Sequence, residues 1–363
     1  MEKKGTIVHE LPPSERNPRN SEGAFLTLKD GRIVFIYSKF IGDSSEDDAK
    51  ASIAAIYSND GGRTWTSKEK IIATPDEYNA KNIMSVSLMR MLNGDIGLYY
   101  GKRYGWHDTR LHLWRSSDEG ETWGKEVCCI PTKGYFVSNN DRVIRTSTGR
   151  IIVPGNLHRM RGDDIHDHSS FDYRGIACFF ISDDDGFTWR EAKNYCVMPL
   201  PRSRTGLQET GLIELKNGLI WAWFRTDMGY QYESFSRDFG DTWTMPQPSV
   251  FTSPDSPLSM KRIPHNGYLL AVWNPIPNYN TRIAHKDRLW GRKPLVGAIS
   301  KDDGITWEEP FIIESEEDRG GYCYTAIYFT DDAVLLAYCA GEPEDGVCLA
   351  RLRIRRIPYS DII

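Results

Sequence analysis

Three stretches of the chain collect side chains that can move protons, grip anions or hold a cation. The segment 156–175, NLHRMRGDDIHDHSSFDYRG, places His158, Arg159, His166 and His168 among acidic residues. An H-x-H pair beside Asp is a metal-ligating pattern, but a loop this rich in His and Asp reads first as solvated polar chain, and no metal or other cofactor is expected. YGWHDTR (104–110) offers Trp106, His107, Asp108 and Arg110, where an indole could stack on a sugar face beside polar groups, as Trp290 could. SNNDRVI (138–144) sets Asn140 and Asp141 at the start of an apolar strand. The seven Cys are an odd number without metal spacing, and most sit in apolar, strand-like surroundings. That is the pattern of buried, reduced thiols in a cytosolic protein.

Acidic residues also recur in a fixed setting. SNDGGRTW (58–65), SSDEGETW (116–123), SDDDGFTW (182–189), SRDFGDTW (236–243) and SKDDGITW (300–307) share the form S-x-D-x-G-x-T-W. In such an octapeptide the Asp can accept hydrogen bonds from the turn's own N–H groups, the Gly can take a positive φ, and the Trp can cover the turn. Five degenerate copies cannot all line one active site, so the octapeptide is read as a structural turn.

The elements that must position the chemistry repeat with it. The octapeptides begin 58, 66, 54 and 64 residues apart, the variable step of a repeated supersecondary unit. Each is preceded by an apolar strand, a polar turn and a second apolar strand: AFLTLKDGRIVFIYS (24–38), VSLMRMLNGDIGLYYG (86–101), RVIRTSTGRIIVPG (142–155), GLIELKNGLIWAWFR (211–225) and LSMKRIPHNGYLLAVW (258–273). TAIYFTDDAVLLAYCAG (325–341) is a sixth copy with no octapeptide after it. Period-2 alternation dominates and a sustained helical period is scarce. The expectation is an all-β, six-bladed β-propeller with four antiparallel strands per blade, occupying 1–363 as a single domain. The last blade would be closed by CLARLRIRRI (348–357) pairing with the N-terminal TIVHEL (6–11).

Bulk properties narrow the partners. The chain has 363 residues, 40% of them hydrophobic, and a net charge of −5, which gives no reason to expect nucleic acid or an anionic membrane. No run approaches the roughly 18 apolar residues of a membrane span. The N-terminal MEKKGTIVHELPPSE lacks the apolar stretch of a secretory signal, so the expected location is the cytoplasm, a trimmed secreted protein being the alternative.

The octapeptides look like Asp-boxes, and Asp-boxes on a six-unit propeller resemble the sialidase (neuraminidase) superfamily. What the resemblance implies is a pocket on the propeller axis, opposite the Asp-boxes, with three Arg clamping a substrate carboxylate, an Asp as acid/base, and a Tyr–Glu pair as nucleophile and base. The family's Tyr sits in a Gly-Tyr setting before the last blade, which GGYCYTAIYF matches at Tyr322, with Tyr324 two residues on. LQETGLIEL supplies Glu209 as the Glu, Glu214 lying at a different depth along the strand. IWAWFRTD and GRKPLVGAIS supply Arg225 and Arg292 for the clamp, and FIGDSSEDDAKASIAAIYS supplies Asp47, with Asp48 next. The first clamp Arg is missing: in NPRNSEGAFLTL the spacing to Gly31 gives Ser21 or Glu22, with Arg19 two or three residues early. A charged Glu22 there would repel a substrate carboxylate by about 4 kcal/mol at ~4 Å and an effective dielectric of about 20. Lys39 falls where the family often has a further Arg at the pocket rim. Asn140, Asp141, His107, His158 and Tyr324 complete the expected substrate-binding set.

The leading expectation is an exo-acting, retaining glycoside hydrolase of sialidase type for a terminal, acidic sugar, because a guanidinium fork matches a carboxylate. Alternatives are a polysaccharide lyase or a His-using hydrolase on a uronic-acid glycan, with His107 or His158 beside Tyr322, and a carbohydrate-binding propeller without catalysis. In all three the partner is a carbohydrate.

Overall fold

The protein was examined as a computed structural model that describes residues 2–162, 164, 166–278 and 289–363. Strands start where β-branched and aromatic residues alternate and stop at Gly, Asp or Pro, so each apolar run becomes one strand of an antiparallel meander. After β1 (Thr6–Leu11), the first unit is β2 (Asn20–Thr27), β3 (Ile33–Phe40), β4 (Ala51–Ser58) and β5 (Lys70–Ala73). The second is β6 (Asn82–Arg90), β7 (Ile96–Gly105), β8 (Asp108–Ser116) and β9 (Val127–Cys128). The third is β10 (Tyr135–Val137), β11 (Ile144–Arg145), β12 (Ile151–His158), β13 (Ile176–Ser182) and β14 (Arg190–Glu191). The fourth is β15 (Gln208–Glu214), β16 (Ile220–Arg225), β17 (Tyr230–Ser236) and β18 (Gln247–Thr252). The fifth is β19 (Ser259–Arg262), β20 (Leu269–Trp273), β21 (Leu295–Ser300) and β22 (Phe311–Glu314). The sixth is β23 (Cys323–Phe329), β24 (Ala333–Cys339), β25 (Leu352–Pro358) and, on its outer edge, β1. The fold is all-β; the helical segments among the described residues are three short 3₁₀ turns.

The hydrogen-bonded sheets are five rather than six. Four units form separate four-stranded sheets, but the second and third join into one of nine strands. The cause is β10, which pairs antiparallel with β12 and makes one parallel bridge, Tyr135 to Thr109, with β8. The expected inner strand of the third unit shrinks accordingly to the two residues of β11.

Packing follows the order of the units. Among the described residues, five large apolar clusters each draw on two consecutive units. Ile36 and Leu98 belong to the cluster between the first and second, Phe179 and Ala222 to that between the third and fourth, and Leu270 and Leu336 to that between the fifth and sixth. Phe35 and Tyr37 of the first unit pack with Leu335 and Ile354 of the sixth. β2 also touches both β6 and β23.

The octapeptide turns hold these neighbours together. In the first, Asp60 Oδ1 accepts from the N–H of Arg63 (3.0 Å) and of Thr64 (2.9 Å), Thr64 Oγ1 donates to Asp60 Oδ2 (2.6 Å), and Trp65 Nε1 donates to the Gly62 carbonyl (3.3 Å). The Ser–Asp and Thr–Asp bonds recur at Asp118, Asp184, Asp238 and Asp302. Gly240 shows why the motif needs Gly: its φ is +92°, and a Cβ there would lie 2.7 Å from Ile152 of the preceding unit.

Candidate active site

The first residues of the inner strands share a local distortion. Glu22, Ser85, Glu209 and Tyr324 sit at φ of +53°, +60°, +50° and +58°, in β2, β6, β15 and β23. Each falls where the pairing with the next strand slips register. Such a bulge re-aims one side chain out of the alternation of its strand, and a left-handed non-Gly residue is strained. Asp141, ahead of β11, has the same conformation, with φ +58°.

These bulges bring a phenol and a carboxylate together. Tyr324 Oη donates to Glu209 Oε1 at 2.7 Å, and Arg225 donates to the same oxygen at 2.6 Å and lies 3.3 Å from the phenol. Glu209 Oε2 is buried and has no hydrogen-bond partner among the described residues. Burial and the Glu209 charge push the Tyr324 pKa well above its ordinary value, against the pull of Arg292 and Arg225, so the phenol is protonated at neutral pH and a base must remove its proton.

Two Arg face the same hollow, which Asp47, Asp255 and Trp290 also line. Arg225 Nε is held by Asp255 at 2.6 Å. Arg292 packs over the Trp290 ring and donates to Cys323 Sγ at 3.2 Å. A contiguous hollow, sharing Asp47 and Tyr324, carries Glu22, Glu209, Arg103, Tyr135, Ser138 and Asn139 in its wall. An aromatic rim of Trp106, Tyr135, His168, Phe171 and Tyr173 adjoins it.

Arg19 lies behind Asp47 and Glu22, outside both walls. It donates to Asp47 Oδ1 at 2.6 Å, to Ser21 at 2.9 Å and to Glu22 Oε2 at 3.4 Å. One guanidinium therefore serves two carboxyl groups with opposite results. Burial raises the Asp47 pKa, but Arg19, helped by Arg103 and Arg225, brings it below the ordinary value. Glu22 is pushed up to about 7, by burial first and by the charges of Asp47 and Glu209, against Arg19. The raised pKa of a proton donor thus belongs to Glu22, while that of Asp47 is lowered.

Of the expected residues, Tyr324, Glu209, Asp47, Glu22, Arg225 and Arg292 meet in this cleft. Tyr322 does not. It is buried between the fifth and sixth units against Tyr338, and the bulge at Tyr324 means that the two tyrosines do not share a face. Lys39 is tied to Glu69 beside the outer strand and is not in the walls. His158 is buried on Phe171 with Nδ1 3.0 Å from the Asp172 carbonyl, and burial lowers its pKa. His107 lines neither hollow. Asn140 is a tie beneath the site, donating to the carbonyls of Gly23 and Tyr324. Asp141 turns to the other end of the inner strands, where it accepts from Lys261.

Among the cleft residues outside the expected set, two are charged, Arg103 and Asp255. Arg103 stands late in the second strand of its unit, as Arg225 does, and that parallel was the available signal. Asp255 lies in an irregular SPDSPL segment with no pattern to mark it.

Residues 36–336 match the family model described as a BNR repeat-like domain. A sialidase from Paraclostridium sordellii is 25% identical over 243 residues, covering 61% of this chain and 56% of that protein, so the chain spans about half the length of this curated relative. A protein of unknown function from Dyadobacter fermentans superposes with a TM-score of 0.71 at 18% identity, covering 97% of this chain and 99% of the other. The NanB sialidase of Streptococcus pneumoniae, as its K499G mutant, gives 0.72 at 14% identity, with coverage of 100% and 72%. The intramolecular trans-sialidase of Ruminococcus gnavus gives 0.71 at 13%, with coverage of 98% and 97%. At these identities the structural likeness establishes the fold. With the family match running from the first unit into the sixth, the chain belongs to the BNR repeat-like domain family.

Proposed function

We propose that the protein is a retaining exo-glycosidase for a terminal acidic sugar, built as a six-bladed propeller whose axis opens at the cleft. The apolar cluster shared by the first and sixth units supports the ring. The observation that carries the chemistry is the Tyr324–Glu209 hydrogen bond of 2.7 Å with Arg225 on the same oxygen. In this reading Tyr324 Oη attacks the anomeric carbon as Glu209 takes the phenolic proton, and the leaving oxygen departs with a proton from Asp47. Water then attacks the glycosyl–tyrosine bond, giving its proton to Asp47 while Glu209 returns one to the phenol. Arg225 and Arg292 receive the sugar carboxylate; Arg19 stands behind and orients Asp47.

Asp47 is ionised at rest and suited to the second, base step. For the first it must gain a proton, and Glu22, which shares Arg19 with it, is the neighbouring carboxyl that holds one near neutral pH.

The test is trapping. An activated acidic glycoside fluorinated next to the anomeric carbon should label the peptide containing Tyr324, as read by mass spectrometry. Tyr324→Phe and Glu209→Gln should each lose turnover by about 10³-fold or more with the fold intact. Label on another residue, or wild-type turnover in either variant, removes the mechanism. Sugar binding without turnover in the wild type would make this a binding protein.

A further inference from the structure

The inner strands have two ends, and only one belongs to the cleft. At the other end, Asp141 and Arg142, ahead of β11, and residues of β11, β15, β16, β19 and β23 line a cavity of about 330 Å³. That is within the ~300–1,000 Å³ range of small-molecule sites. Its wall combines apolar side chains, among them Trp223, Met260 and Phe329, with six titratable ones.

Five of the six are already engaged. Asp141 accepts from Lys261 Nζ at 2.6 Å and from the Ile327 N–H at 3.0 Å. Glu214 accepts from the Ser147 N–H and hydroxyl, each at 2.6 Å. Arg145 pairs with Asp185 and Arg262 with Asp303, outside the cavity. Arg142 is the exception. It is 4% exposed, its Nε is buried without a partner, and among the described residues no carboxylate or carbonyl accepts from its guanidinium. Among the described residues its ring contact is Trp223, 5.9 Å from the guanidinium carbon, and the carboxylates of Glu209 and Asp141 act on it through space without accepting a hydrogen bond from it. A buried cation without a paired anion is costly by several kcal/mol, so the site is electrostatically suited to an anion. The two acids in the wall, Asp141 and Glu214, are held by their own donors.

We propose that this cavity binds a small organic carboxylate, with its anionic head on Arg142 and its apolar body against Trp223, Met260 and Phe329. The site shares no lining residue with the cleft.

Benzoate is the probe, followed by ligand-observed NMR on the full chain. Wild type should bind it saturably. Arg142→Met, which removes the uncompensated charge and is expected to fold, should weaken binding at least about tenfold. Met260→Trp, which fills the cavity and keeps Arg142, should do the same. Inorganic phosphate, lacking an apolar body, should compete at least about tenfold more weakly. The proposal fails if wild type shows no saturable binding, if either variant binds as wild type does, or if phosphate competes equally well. It also fails if Arg225→Met, in the cleft, is the variant that loses benzoate.

Discussion

Glu22 occupies the place where the sialidase resemblance calls for a clamp Arg, and its environment explains how an acid can be tolerated there. The side chain is 5% exposed and has two long contacts, each 3.4 Å, from the Ser85 hydroxyl and from Arg19, whose shorter bond goes to Asp47. Its pKa near 7 makes a stability prediction with a defined sign. Below the ordinary value of about 4.5 both folded and unfolded chains hold the proton and stability is complete. Between that and about 7 the folded chain keeps a proton that the unfolded chain releases, so stability is lost as pH rises through 7. Glu22→Gln should therefore gain about 3 kcal/mol on wild type between pH 4.5 and 8. Urea midpoints of both proteins at the two pH values measure it; an unchanged difference between them would refute the assignment. A substrate carboxylate should likewise bind more tightly below pH 7 than above it, and this pH dependence should vanish in the variant. Spacing left Ser21 and Glu22 as alternatives in the sequence, and no count of spacing conveys that Arg19 folds back to sit between two carboxyl groups. Tyr322 shows the converse. Two tyrosines at i and i+2 look equivalent in a regular strand, and only the left-handed turn at Tyr324 separates them.

At the scale of elements, the legible and the illegible divide on the same ground. The octapeptide is readable because its geometry is made by residues within eight positions, the Asp accepting from the N–H groups that follow it. The bulges of the inner strands are made by nothing so local: Glu22 and Tyr324 have unrelated neighbours in sequence and the same φ. β10 is similar, a three-residue strand that becomes one only by lying between β8 and β12. The octapeptide Gly has two duties, a positive φ and contact with the neighbouring unit, and these can be separated by mutation. Gly240→Ala would strain a φ of +92° and press a methyl against Ile152; Gly218→Ala would strain a φ of +83° with nothing within 4 Å. The second should cost about 1 kcal/mol, the first roughly 1–2 kcal/mol more, read as the difference in urea midpoints. Equal costs would show that the turn does not brace its neighbour. The octapeptide carboxylates add a pH dependence of opposite sign to that of Glu22. Asp60 is held down at about 2, its hydrogen bonds from Ser58, Arg63 and Thr64 outweighing the effect of burial, so its contribution is present above the ordinary Asp range and lost as pH falls toward 2.

At the scale of the whole molecule, the sixth unit takes its outer strand from the opposite end of the chain. The reading of 6–11 with 348–357 corresponds to β1 on β25, from Thr6 against Arg356 to Leu11 against Leu352. It was visible because the sixth repeat lacks an octapeptide and both segments alternate like strands. What the pattern did not show is how charge secures the pairing. Glu10 binds Arg353 at 2.7 Å, Arg355 donates to the carbonyls of Lys4 and Gly5, and Arg353 and Arg355 converge on Glu314 of the fifth unit, which is fully buried. β1 thus covers an Arg-rich strand whose other bonds reach the neighbouring unit, and in the proposed ring it is the piece that ties the last blade to both chain ends. Removing residues 2–11 should expose the edge of β25, leave Arg353 and Arg355 with fewer partners and lower stability by about 3–5 kcal/mol, the range for breaking a buried ion-pair network. A synthetic peptide of residues 2–11, added in excess, should restore the thermal midpoint of the shortened protein in a concentration-dependent way, since a strand can dock on a free edge through main-chain bonds alone. The same peptide with Glu10→Lys should fail to do so. If the shortened chain unfolds like the full one, the strand is not what holds the sixth unit together; if both peptides rescue it equally, the strand does so without the help of Glu10.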